Sequence, residues 1–174
     1  MTLVIGGAAS GKSEFAEGLV LSAGELPRYY IATMQPFDEE CRARIRRHRQ
    51  MRAEKRFETF ECFTNLKSLT LPQRGVVLLE CISNLTANEL YSPDGAGEAA
   101  IEAICQGIEH LRAQCQELVI VSNEVFSGGS DYEGDTLHYL QVLAEVNRAL
   151  ARQADCVYEV VCGMPVCHKG GNTR

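Results

Sequence analysis

The apolar run Leu3-Val4-Ile5 passes directly into Gly6-Gly7-Ala8-Ala9-Ser10-Gly11-Lys12-Ser13. This is a G-x-x-x-x-G-K-S spacing, and it constrains the fold more than any other part of the chain. The motif has meaning where a strand precedes it and a helix follows. Both are predicted, because Phe15, Ala16, Leu19 and Val20 repeat at helical spacing just beyond it. In such a loop the backbone N–H groups and the helix N-terminus hold phosphate oxygens. Lys12 then reaches the β- and γ-phosphates and acts catalytically, and the Ser13 hydroxyl ligates Mg²⁺. An ordinary glycine-rich turn would leave the adjacent Lys12 and Ser13 unexplained.

Short runs rich in Val, Ile and Leu recur at Leu3–Ile5, Tyr29–Ala32, Val76–Ile82, Leu118–Ser122 and Val157–Val161, with a weaker candidate at Glu58–Cys62. Such runs read as strands buried on both faces of a mainly parallel sheet. Between them, Ile101, Ile104, Cys105, Ile108, Leu111 and Cys115 recur at helical spacing, as do Leu137, Leu140, Ala144, Asn147, Leu150 and Ala151. The alternation predicts an α/β sandwich with right-handed crossovers. Residues 93–97 and 127–131 read as loops. At 174 residues the chain is expected to form a single nucleotide-binding domain over 1–174.

Hydrophobic residues make up 45% of the sequence, yet no apolar run nears the roughly 20 residues that span a bilayer. No stable membrane insertion is expected. The N-terminus lacks the basic region of a signal peptide, so the expected location is cytoplasmic. The eight cysteines then read as reduced, mostly buried thiols. A net charge of −6 argues against nucleic-acid binding. The distribution of charge is uneven, however: eight of the 17 Lys and Arg residues fall between Arg42 and Arg56.

A P-loop enzyme needs a second acidic anchor for its metal, usually at the end of a neighbouring strand. Glu80 after Val76-Val77-Leu78-Leu79 and Glu124 after Leu118–Asn123 both qualify. The basic segment reads as a helix starting near Asp38-Glu39-Glu40, because carboxylates favour a helix N-terminus. On it Arg44, His48 and Arg52 share a face at i, i+4 and i+8. Two guanidinium groups beside an imidazole disfavour imidazolium, which keeps His48 available as a nucleophile. They would also bind the phosphates it attacks. A solvated basic helix with one incidental histidine fits the spacing equally well. Asn147 lies on an apolar face, where its amide needs partners; a structural hydrogen bond and a ligand contact both satisfy that need. His110 reads as solvated.

Taken together, these segments resemble the bifunctional adenosylcobinamide kinase and adenosylcobinamide-phosphate guanylyltransferase family of cobalamin biosynthesis. The matching stretches are Gly6–Ser13, Tyr30–Thr33, Arg44–Arg49, Leu78–Ser83 with Asn88, Val121–Val125, Asn147 and Gly163–Val166. The resemblance implies a three-layer P-loop NTPase (RecA-like) fold with a mainly parallel sheet, assembled as a homotrimer. It implies that adenosylcobinamide is phosphorylated with ATP or GTP, Mg²⁺ being held by Ser13 and Glu80. GMP from GTP then passes through a guanylyl-histidine, His48, to adenosylcobinamide phosphate, giving adenosylcobinamide-GDP. Nucleotide contacts are implied at the P-loop, Thr33, Arg49, Glu61 and Glu80. Phosphate or substrate contacts are implied at Arg44, Arg47, Arg52, Asn88, Asn123 and Glu124.

The chain departs from the family pattern in two places. Arg47 stands where some members have the first of two adjacent histidines. Phe126, Asp131, Leu140 and Gln141 stand where many have a glycine, a proline and an Arg-Asp pair. Two other readings use the same residues: a P-loop kinase without guanylyl transfer, and a non-catalytic regulatory protein that uses ATP or GTP as a switch.

Overall fold

The computed structural model describes residues 1–36, 38–126 and 132–170; the loop expected at 127–131 lies outside them, as do the side chains of Glu40, Arg44, His48, Arg49 and residues 51–53. Strands and helices alternate in the order β1 (Thr2–Ile5), α1 (Lys12–Ser22), β2 (Arg28–Ala32), α2 (Glu39–Arg52), β3 (Phe57–Glu61), β4 (Val76–Glu80), α3 (Ile82–Tyr91), α4 (Ala100–Gln114), β5 (Glu117–Val121), α5 (Gly134–Gln153), β6 (Cys156–Val161) and β7 (Met164–Lys169). A 3₁₀ turn, Ala53–Lys55, joins α2 to β3.

The strands form one sheet in the order β3-β2-β4-β5-β1-β6-β7. Every pairing is parallel except β6 with β7. Successive side chains on a strand point to opposite faces, and both faces here are covered. Val77, Leu79, Leu118 and Ile120 pack with Leu85 of α3, Ile104 and Ile108 of α4 and Leu143 and Val146 of α5. Val76, Leu78, Val119 and Val121 pack on the other face with Ala16 and Val20 of α1. The result is the expected three-layer, mixed α/β architecture. Each such fully buried aliphatic side chain contributes about 1.5–3 kcal/mol of transfer free energy.

Two expectations need correcting, and one strand was not expected. The run Val76–Ile82 does not remain a strand to its end: β4 stops at Glu80 and Ile82 opens α3. Residues 164–169 form an edge strand, β7, which pairs with β6 and is exposed throughout. The eight cysteines are all unpaired, but only Cys62, Cys81 and Cys115 are buried, while Cys162 and Cys167 are exposed. Among the described residues, no helix is long and apolar enough to cross a membrane.

Candidate active site

In a parallel sheet all the strands end on the same side, and ligands bind outside those carboxyl ends. Here Ala32, Glu61, Glu80 and Val121 stand level with one another across β2, β3, β4 and β5. The P-loop leaves β1 on the same edge, tied to it by the Glu124 N–H donating to the Gly6 carbonyl at 3.0 Å. A cleft of about 830 Å³ opens there, lined by the loop and by residues from α2, β3 and β4.

The loop has the geometry that phosphate binding requires. Gly11 is the N-cap of α1 in the left-handed region, φ 91°, and makes no side-chain cap. The first amide N–H groups of the helix therefore lack the usual hydroxyl or carboxylate acceptor and suit phosphate oxygens instead. A Cβ at Gly11 would also come within 3.1 Å of Gly163 Cα, and one at Gly6 within 2.7 Å of the Val160 carbonyl oxygen. The turn between β6 and β7 is fastened to the loop by the Gly163 N–H, which donates to the Ser10 carbonyl at 2.8 Å. Lys12 folds back so that its Nζ donates to the Gly7 carbonyl at 3.0 Å.

Ser13 and Glu80 meet: the hydroxyl donates to one carboxylate oxygen of Glu80. The phenol of buried Tyr30 donates to the other at 3.1 Å. A hydroxyl and a carboxylate are hard oxygen donors, and Mg²⁺ favours a site of one or two carboxylates completed by phosphates and water, so the residues present fit that ion. Of the two acidic candidates, it is Glu80 that reaches Ser13. Glu124 instead accepts a hydrogen bond from the Phe126 amide at 2.8 Å.

Several polar residues expected at the ligand prove to build the walls instead. Thr33 is fully buried; its hydroxyl donates to the Cys81 carbonyl at 2.9 Å and accepts from the Cys81 N–H at 2.7 Å, clamping β2 to β4. Asn88 directs both amide protons inward, to the Thr33 carbonyl at 2.8 Å and the Phe63 carbonyl at 2.9 Å. Both donors are thus committed within the protein, and the side chain is buried. The Thr33 hydroxyl is likewise committed to backbone. Asn147 is a structural bonder, accepting from Ser122 Oγ at 2.7 Å. His110 is half-buried, its Nε2 2.9 Å from the Leu69 carbonyl, and is not simply solvated.

Asn123 does line the cleft, its amide donating to Ser83 Oγ at 2.6 Å. Beside it the Cys81 sulfur lies 3.0 Å from the same hydroxyl. Burial pushes the Cys81 thiol up, which keeps it protonated. Tyr139, whose phenol donates to the Ser83 carbonyl, is pushed up to about 12, again by burial.

Glu61 and Thr59 of β3 line one wall, and Ala43, Ile45 and Arg47 of α2 line another. The basic helix therefore runs along the same cleft as the phosphate loop. Arg44, His48, Arg49 and Arg52 belong to α2, but their side chains lie outside the described residues. Glu14, Glu17, Met34 and Asn84 also line the cleft, and sequence reasoning missed them together with Tyr30. For Tyr30 the signal was available: strand periodicity places it two residues before Ala32, on one face of β2.

Residues 2–167 match the cobinamide kinase / cobinamide phosphate guanyltransferase family (CobU). The chain belongs to this family. It is 38% identical to the bifunctional adenosylcobalamin biosynthesis protein CobU of Salmonella typhimurium over 181 residues, covering 95% of this chain and 98% of that protein. It is 30% identical to the bifunctional adenosylcobalamin biosynthesis protein CobP of Pseudomonas aeruginosa over 173 residues, covering 97% and 96% of the two chains. Among solved structures, the flagellar accessory protein FlaH from Methanocaldococcus jannaschii superposes with a TM-score of 0.48 at 10% identity, covering 99% of this chain and 81% of that one. The RadB recombinase superposes with a TM-score of 0.47 at 18% identity, covering 91% and 72%.

Proposed function

We propose that the protein carries out both reactions for which its family is named. It phosphorylates the aminopropanol hydroxyl of adenosylcobinamide with ATP or GTP, and it then transfers GMP from GTP to the product, giving adenosylcobinamide-GDP. The observation that carries this reading is that Ser13 and Glu80 converge beside the phosphate loop, in the same cleft that Arg47 of the basic helix enters. A seat for a triphosphate thus faces the helix that bears His48.

In the first reaction the substrate oxygen bonds to the γ-phosphorus, the bond to the bridging oxygen breaks, and a nucleoside diphosphate leaves as the hydroxyl proton is released. Lys12 holds the β- and γ-phosphate oxygens in line, and backbone N–H groups of the loop stabilise the charge that spreads over them. Ser13 and Glu80 would hold Mg²⁺, which when bound neutralises triphosphate charge.

In the second reaction a ring nitrogen of neutral His48 bonds to the α-phosphorus of GTP and pyrophosphate leaves. A phosphate oxygen of adenosylcobinamide phosphate then attacks the same phosphorus, the P–N bond breaks, and its electron pair returns to the imidazole. Splitting the transfer this way is covalent catalysis, and Arg44, Arg47, Arg49 and Arg52 supply the cationic surround. Glu61, which lines the cleft, would accept from the guanine edge. Asn123, which also lines the cleft, and Glu124 after it would contact the second substrate.

The test is to incubate the protein with Mg²⁺ and GTP labelled at the α-phosphate. Wild type is expected to carry acid-labile, base-stable label and His48→Ala none. No label on either, with adenosylcobinamide still phosphorylated, would overturn the guanylyl-histidine and leave a kinase.

The same reading carries one nucleotide-binding domain over 1–174, a cytoplasmic location and a homotrimer. Assembly is supported by β7, an edge strand on which Met164 and Val166 are 64% and 47% exposed. Apolar side chains on an open edge favour pairing with another surface. Light scattering that returned one chain mass across the micromolar range would rule out the trimer.

A further inference from the structure

The described residues of the basic helix α2 bury little: those between Cys41 and Gln50 are half-buried or exposed. Its sequence, Glu39–Arg52, is charged nearly all round, so it has no broad apolar stripe to bury. Its described ion pairs, Arg42 and Arg46 with Glu39, lie within the helix and on its surface, where such pairs contribute about 0–1 kcal/mol. At its C-terminal end α2 runs directly into the 3₁₀ turn Ala53–Lys55.

That turn, by contrast, is firmly attached. Lys55 at its end donates from Nζ to the Glu17 carboxylate. The Glu17 side chain is only 5% exposed and that of Lys55 28%. Arg28 adds a second attachment, one guanidinium nitrogen donating to the Lys55 carbonyl at 3.3 Å and the other to the Gly24 carbonyl at 3.0 Å. Glu17 lies four residues beyond Ser13 on α1, hence on the same face one turn along, and it too lines the cleft. The ion pair therefore joins the end of the basic helix to the helix whose N-terminus is the phosphate loop.

We propose that Lys55 and Glu17 are positioning residues: their ion pair sets where α2 stands over the cleft, and through it the step in which His48 takes GMP. The chemical consequence rests on the function proposed above, whereas the anchoring does not. His48 precedes Lys55 by seven residues, roughly 10 Å along a helix. A tilt of about 10° at the anchor therefore moves that part of α2 by more than 1 Å, and a misplacement of about 1 Å costs on the order of 10²-fold in an in-line transfer. Phosphoryl transfer is less exposed to such a tilt, because Lys12, Ser13 and Glu80 stand on α1 and at the end of β4, elements packed into the sheet.

Lys55→Met keeps the length of the side chain and removes its charge. Hydrogen exchange of the α2 amides is expected to quicken about tenfold in this variant, with β4 and β5 unchanged. The rate of labelling by α-phosphate-labelled GTP should fall about 10- to 100-fold, while phosphorylation of adenosylcobinamide stays within about threefold. Lys55→Arg should restore both the exchange pattern and the labelling. Removing Lys55 alone also leaves the Glu17 carboxylate buried without its cation, which is destabilising, so the double variant Glu17→Gln/Lys55→Met separates the two effects. It is expected to recover thermal stability and yet remain slow to label.

The proposal is overturned if α2 exchange in Lys55→Met matches wild type, if labelling and phosphorylation fall equally, or if the double variant recovers labelling. A wild type that takes no label refutes the guanylyl-transfer reading instead, and α2 exchange still decides the anchor.

Discussion

Lys12→Ala should lower kcat/KM for phosphorylation of adenosylcobinamide by about 10³-fold, roughly 4 kcal/mol of transition-state stabilisation. The thermal midpoint should shift by no more than about 2–4 °C, the equivalent of some 1 kcal/mol in a chain of this size. The two effects part because of where Lys12 sits. It opens α1 at the lip of the cleft, and its ammonium turns back on the Gly7 carbonyl of its own loop. Its removal empties no core position, and alanine is a good helix former. What would be lost is the cation proposed to meet the β- and γ-phosphates, in a half-buried position where it acts more strongly than in free solvent. Turnover assays beside a melting curve check both halves. Full activity in a folded Lys12→Ala would refute the phosphate-loop assignment.

Glu80→Gln should cost about 10²-fold in turnover, with part of the loss recovered at Mg²⁺ concentrations about tenfold or more higher. The substitution preserves shape and removes charge. The wild-type carboxylate accepts from Ser13 on one oxygen and Tyr30 on the other. An amide presents only one acceptor, so the Tyr30 or Ser13 hydrogen bond must rearrange as well. Direct Mn²⁺ binding followed by spectroscopy measures the ion's affinity apart from turnover. Unchanged Mn²⁺ affinity and unchanged turnover would mean that Glu80 is a structural partner of Ser13 and Tyr30 only.

The features legible in the sequence are those written in short-range pattern. The strand before the P-loop, the helix after it and the apolar runs read at residues 76–82 and 118–122, which hold the buried parts of β4 and β5, follow from apolar periodicity and glycine spacing. Helix α3 escaped because its inward face is half polar: Ser83, Thr86, Asn88 and Glu89 are buried beside Ile82 and Leu85. Glu89 accepts from the amides of Asn65 and Ala96, and Asn88 serves two carbonyls, so tertiary hydrogen bonds replace the apolar stripe. Strand β7 escaped because Met164–Lys169 contains Pro165 and buries nothing. Proline is tolerated there because β7 lies at the sheet edge.

The site divides in the same way. Ser13 with Glu80 could be anticipated from the needs of a metal at a strand end. Thr33 and Asn88 could not be assigned, because a polar residue near a ligand and a polar residue that builds the ligand's wall look alike until their partners are known. The Lys55–Glu17 pair spans 38 residues, and no local spacing announces it.

The position of β1 in the sheet also sets the order in which the site can come into being. The phosphate loop is synthesised well before both neighbours of its strand: β5 spans Glu117–Val121 and β6 spans Cys156–Val161. The donor to the Ser10 carbonyl, Gly163, comes later still. Contacts of such long range carry a large loop-closure cost and form slowly. A nascent chain therefore exposes its glycine-rich loop, without the strands that hold it in shape, until β5 and β6 have been made. The loop is held in its binding shape only once β6 and the turn at Gly163 have been made, which makes triphosphate binding a report that these distant segments have docked.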